Sequence, residues 1–151
     1  MQLTKFTDYC LRVLIYLSAS EGKMATVSEI ASTYEASRHH LMKVAQHLSA
    51  KGYVETARGK NGGIRLAREP RFINIGEVVR DCEESFDVVE CFNTLHTQCP
   101  LLPACALRAA LKEATKSFFA SLDRYTLADF AQGSRPAKGP VTARVSFHRA
   151  A

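Results

Sequence analysis

Apolar positions in the first half of the chain recur with the period of a helix. Leu11, Leu14, Ile15 and Leu17 mark one stripe within residues 7–20, where Thr7 or Asp8 offers a cap, so an amphipathic helix is expected near the start. A short second helix is expected over Ser28 to Tyr34, with Val27, Ile30, Ala31 and Tyr34 on one face. After the break at Glu35-Ala36, Ser37 is a good cap for a third helix. Its stripe is Leu41, Val44 and Leu48, which leaves Arg38, His39, Met42, Lys43 and Gln46 on the open side, and Gly52 ends it. Two short runs follow, Tyr53 to Ala57 and Ile64 to Ala67, separated by Arg58-Gly59-Lys60-Asn61-Gly62-Gly63. β-Branched and aromatic residues around Asn-Gly and Gly-Gly read as a hairpin.

Helix, helix-turn-helix, hairpin is the order of a winged helix-turn-helix, and Pro70 marks its exit. Asn74 is placed to cap a helix from Ile75 to about Cys82, after which periodicity disappears between Glu83 and Ala104. A long helix from Ala106 to about Arg124 then carries Leu107, Leu111, Thr115, Phe118 and Leu122 at spacings of three or four. One small chain has little to cover that stripe beyond its first helix, so a twin copy in a symmetric homodimer is the expected cover. Thr126 to Phe130 makes a short final turn, and the sequence past Gly133 is small, basic and interrupted by proline. The expected fold is mainly α with a small β-hairpin wing. The expected organisation is a winged helix-turn-helix over 1–71, a cysteine loop and dimerisation helix over 72–131, and a basic tail over 132–151.

Charge sharpens this picture. The net +5 conceals a basic head (eleven basic and six acidic residues in 1–71), an acidic middle (five and nine in 72–132) and a basic tail with four basic groups and no acidic one. No apolar stretch approaches a membrane span, and the first ten residues lack the basic-then-apolar run of a secretory signal, so a cytoplasmic location is expected. Between Arg38 and Arg71 stand eight basic residues against Glu55 and Glu69, on the two elements that a winged helix presents to duplex DNA. Basic side chains neutralise phosphates while an inserted helix reads base edges. The candidate contacts are Ser28, Ser37, Arg38, His39, His40 and Lys43 around the third helix, and Arg58, Lys60, Asn61, Gly62 and Arg65 in the hairpin.

In a cytosol thiols stay reduced, so five cysteines point away from a disulfide framework. Cys10 and Cys82 lie in helices and read as small buried hydrophobes. Cys91, Cys99 and Cys105, separated by seven and five residues, fall in the aperiodic segment with Pro100 and Pro103 and can converge on a soft metal. No C-x2-C pair suggests a zinc ribbon, whereas an iron–sulfur cluster needs thiolates without that spacing. Asp8, His96 or an exogenous molecule would complete the site. A thiol enzyme lacks a paired base in recognisable spacing, and a zinc-stabilised interaction module is the remaining reading from another class.

The opening LTKFTDYCLRVLIYL, the SRHHLMKV helix, the RGKNGGIRL wing, the INIGEVVR helix and the VECF…CPLLPAC…SFFASLDRYTLADF stretch resemble the nitric-oxide-sensing branch (NsrR-type) of the Rrf-type winged-helix regulators, over residues 1 to about 131. The resemblance implies a homodimeric repressor of a near-palindromic operator. It further implies an iron–sulfur cluster, 4Fe-4S with 2Fe-2S as the alternative, on Cys91, Cys99 and Cys105, with a partner-chain carboxylate at the position of Asp8 and nitric oxide as signal. The seven-residue first gap, where many relatives have five, is shared with the iron regulator RirA, which keeps an iron- or cluster-status-responsive regulator as the alternative. Arg108 stands where the cluster-biogenesis branch has a ligand histidine, so that ligand set is not expected.

Overall fold

A computed structural model describes residues 2–20, 22–59, 62–93, 99–102 and 104–131. The first helix, α1 (Lys5–Ala19), starts earlier than the apolar stripe suggests. Its cap is Thr4, not Thr7 or Asp8: the Thr4 hydroxyl accepts the Thr7 N–H at 3.2 Å. Thr7 is instead fully buried, below the start of the stripe formed by Cys10, Val13, Leu14 and Leu17.

The second helix, α2 (Val27–Thr33), is set by a reciprocal cap one residue pair upstream of Ser28. Thr26 accepts the Glu29 N–H at 3.2 Å, and the Glu29 carboxylate takes the Thr26 N–H at 2.6 Å, which holds that carboxyl below its usual range. Helix α3 (Arg38–Ala50) buries Leu41, Val44, Ala45 and Leu48, as its periodicity predicts. Ser37 holds the cap position by its backbone alone, and its side chain makes no capping bond. Gly52, at φ +72°, makes the left-handed step that ends the helix and lets the Tyr53 N–H return to the Leu48 carbonyl at 2.9 Å.

Strands β1 (Val54–Ala57) and β2 (Gly63–Leu66) pair antiparallel with Val54 opposite Leu66 and Ala57 opposite Gly63. A third partner joins them: Ala25 and Ile64 exchange backbone hydrogen bonds at 2.9 and 2.8 Å, stitching the entry of α2 to the wing. A Cβ on Gly63 would lie 2.5 Å from the Ala25 carbonyl oxygen, so this close approach requires glycine. Beyond a 3₁₀ turn at Pro70–Phe72, α4 (Ile75–Cys82) is capped by Asn74 as expected, and its buried face is Ile75, Gly76, Val78, Val79 and Cys82. The described part of the aperiodic segment contains a 3₁₀ turn at Glu90–Phe92, and α5 (Ala106–Leu122) follows with none of its residues buried.

After α5 the chain turns back to the head. Leu127 N–H donates to the Ile73 carbonyl at 2.8 Å, Ile75 N–H to the Tyr125 carbonyl at 3.0 Å, and Leu127 is fully buried in the same cluster as Leu14, Leu41, Val44 and Leu48. Arg80 of α4 clamps Asp123 with two bonds of 2.7 Å and stacks 4.3 Å over the Phe119 ring. Among the described residues no helix is long and apolar enough to cross a membrane.

Candidate functional site

The open face of α3 follows from its core stripe. With Leu41, Val44, Ala45 and Leu48 turned inward, Arg38, His39, His40, Met42, Lys43 and Gln46 are all exposed. Ser28 and Ser37 are exposed beside them, and the His39 and His40 rings lie 6.2 Å apart. Between α3 and the hairpin runs a groove of about 340 Å³ lined by Val27, Met42, Gln46, Ser49 and Thr56 among others. In the wing, Arg58 is exposed, and the Gly62 N–H closes on the Gly59 carbonyl at 2.9 Å. Lys60 and Asn61 lie outside the described residues.

The basic residues of this region divide into two groups. Arg65 pairs with Glu55 directly across the hairpin, and Arg71 pairs with Glu69 at 2.8 Å. Arg68 donates to the Gly52 and Lys51 carbonyls at 2.9 and 3.0 Å and lies 4.7 Å over the Tyr53 ring. Sequence reasoning counted Arg68 only as charge, whereas here it binds the end of α3 to the exit of the wing; no local spacing signals that. Arg38, Lys43 and Arg58 have no ion-pair or hydrogen-bond partner among the described residues. Their charge is available to an external anion.

The cysteines also divide. Cys10 and Cys82 are buried, and the hydrogen bond between them, with burial, drives the Cys10 thiol far above its ordinary range, so Cys10 stays a neutral core group. Cys91, Cys99 and Cys105 are half-buried and free. Cys105 caps α5, its sulfur accepting the Arg108 N–H at 3.4 Å, and Arg108 Nε donates to the Cys91 carbonyl at 3.1 Å. Arg108 therefore ties the first thiol segment to the last, and Cys99 opens a turn closed by the Leu102 N–H at 3.2 Å. His96 and Pro103 lie outside the described residues. Asp8 projects from the first turn of α1 and pairs with Arg12 at 2.8 Å. Within one chain the described His, Cys, Asp and Glu side chains form no group of three able to hold a metal ion. The donor set itself, three accessible unpaired thiols, has the softness that iron–sulfur ligation demands.

The profile of the Rrf2 family, described as iron-dependent transcriptional regulators, matches residues 3–133. The chain belongs to the Rrf2 family. It is 51% identical over 130 residues to the HTH-type transcriptional regulator NsrR of Bacillus subtilis (strain 168), covering 85% of this chain and 89% of that one. Among solved structures it is similar to CymR, the global cysteine regulator of B. subtilis (TM-score 0.70, 27% identity, covering 87% of this chain and 96% of that one). It is also similar to IscR of T. potens (TM-score 0.68, 26% identity, covering 92% and 94%). This Rrf2 chain is thus a DNA-binding transcriptional regulator of the NsrR type with a winged-helix fold, and not an enzyme.

Proposed function

We propose that the chain is a homodimeric repressor that holds a near-palindromic operator through α3 and the wing, and lets go when nitric oxide reacts with an iron–sulfur cluster on the cysteine segment. The observation that carries the reading is the exposed charge of Arg38, Lys43 and Arg58, without an ion-pair partner among the described residues, on the two elements that flank the groove. Arg38, His39 and His40 at the start of α3 face base edges, Lys43 and Arg58 take phosphates, and Ser28 and Ser37 offer hydroxyls beside helix starts. Lys60, Asn61, Gly62 and the partly neutralised Arg65 complete the wing. Two such heads in a dimer address half-sites about 34–36 Å apart.

Cys91, Cys99 and Cys105 would hold the cluster, taken as 4Fe-4S with 2Fe-2S the alternative, and Asp8 of the partner subunit is the matching fourth ligand. A cluster bound there would supply iron reactive toward nitric oxide. Asp8 shares its carboxylate with Arg12, and an oxygen donor so shared is a hard and weakened ligand beside three thiolates. Because Asp8 stands on α1 of the head and the thiols stand before α5, such ligation ties one head to the other subunit's cysteine segment. Reversing a 99:1 preference for the binding-competent arrangement takes about 5.5 kcal/mol, which the loss of several ligand bonds can supply.

The test is anaerobic titration of the cluster-loaded protein with nitric oxide while operator binding is followed. Release within a few equivalents per cluster is expected; retained binding overturns the reading. The seven-residue gap between Cys91 and Cys99 and the family's iron-dependent character favour a second reading, a regulator responding to iron or cluster status, for which chelation rather than nitric oxide triggers release.

A further inference from the structure

We propose that Asp81 is the positioning residue that sets the recognition helix and the wing for operator binding, and through which the cysteine segment acts on them. The second clause rests on the cluster reading above; the first does not. Asp81 lies in the last turn of α4, and three bonds leave it for the DNA-reading elements. Its Oδ1 accepts from Lys51 Nζ at 2.9 Å, its Oδ2 from the Tyr53 hydroxyl at 2.7 Å, and its carbonyl oxygen lies 2.9 Å from His47 Nε2. His47 is in the last turn of α3, Lys51 follows that helix, and buried Tyr53 leads directly into β1. One residue thereby fixes the end of α3 and the root of the wing together. The same His47 ring meets Phe6 of α1 edge-on at 5.2 Å.

The two residues after Asp81 extend the grip. Cys82 is buried against Cys10 in the middle of α1, and the Glu83 carboxylate takes the Thr4 N–H and hydroxyl, each at 3.1 Å, together with the Thr7 hydroxyl. Asp81-Cys82-Glu83 thus holds α3 and the wing, the middle of α1 and the start of α1 in consecutive positions. The chain then runs straight into the segment bearing Cys91, Cys99 and Cys105. On its N-terminal side that segment joins α4's end, from which a displacement has three short, directional paths into the head.

The experiment compares full-length Asp81→Asn, Tyr53→Phe and the double variant with wild type, in cluster-loaded and cluster-free forms. The asparagine keeps the volume but removes the charge and one of two acceptor oxygens. Operator affinity of Asp81→Asn should fall about tenfold while affinity for random duplex and the salt slope stay at wild-type values, since no phosphate contact is lost. The operator-binding effects of the two single changes should be non-additive. The ratio of cluster-loaded to cluster-free operator affinity should also shrink. Equal losses on operator and random DNA would mark Asp81 as merely structural and overturn the proposal, as would wild-type operator affinity. Should wild type not distinguish its loaded and cluster-free forms, the cluster reading fails, and the operator-to-random ratio of the cluster-free variants still decides the role of Asp81.

Discussion

Asp8 and Arg12 sit one helical turn apart on α1 with both side chains partly in water, an arrangement in which the pair adds at most about 1 kcal/mol. Asp8→Ala should therefore leave Tm within a degree or two, while altering the cluster's visible absorption or its rate of loss; an unchanged spectrum and nitric oxide response remove Asp8 from the ligand set. Asp81 behaves differently on titration. The Tyr53 hydroxyl, then Lys51, hold its carboxyl below the usual range, so its contribution to stability is complete above the ordinary carboxylate pKa of about 4 and is lost as pH falls through the lowered folded value. Acid melts of wild type and Asp81→Asn should accordingly converge below about pH 4 and separate above it. The open positions Arg38, His39 and Lys43 were legible in the sequence because helical period alone turns them outward, whereas the exposure of His40 came from the structure. Arg65 was not, because Glu55 faces it across a register that only the paired strands define. The Glu83 bonds to Thr4 and Thr7 span most of the chain and leave no local trace.

Among the helices, the stripe of α3 was readable, that of α1 only in part, since Cys10 and Val13 are buried while Leu11 and Ile15 are half-buried, and two helix starts needed the structure. The reciprocal pair Thr26 and Glu29 is a recognisable four-residue pattern hidden by the more obvious apolar run behind it. Thr26→Ala removes a side-chain acceptor from the α2 terminus and should cost about 1 kcal/mol, seen as a drop of about 2–4 °C in Tm. Thr4 was missed because the stripe of α1 begins well after its cap, whereas Asn74 stands directly before its helix and was read correctly. Helix α5 shows the opposite pattern: its stripe was read from spacing, and in the single chain Leu107 remains 67% exposed. Its far end is anchored by Arg80, Phe119 and Asp123, while its near half, with Leu107 exposed, is held through Arg108 to the cysteine segment. If α5 carries the proposed homodimer contact, Leu111→Glu should give monomers in sedimentation equilibrium where the unsubstituted chain gives dimers, while the far-ultraviolet circular dichroism is kept; an unchanged mass places the subunit contact elsewhere.

Taken whole, the molecule separates charge from core. Its buried cluster runs without interruption from Cys10 through Leu41 and Ile64 to Ile73 and Leu127, and the available basic groups stand on the opposite side of α3 from that cluster. Duplex binding should therefore weaken steeply with salt, and Arg58→Ala should reduce the log–log salt slope by about 0.9; an unaltered slope removes Arg58 from the phosphate contacts. The winged-helix order was legible because hairpin and helices each carry their own period, but the return of the chain end to Ile73 was not, since a buried leucine in a short final turn advertises no partner. That return has a mechanical meaning. Glu83 grips Thr4 and Thr7 where the cysteine segment leaves the head, and Asn74 and Thr126 are bridged where α5 returns to it, so the cysteine segment and α5 form a handle bolted to the head at both ends. A protease cut within residues 84–93 would leave both pieces riding in one particle, and a pull on the handle cannot be relieved by the long helix swinging free: the load is delivered to the bolts.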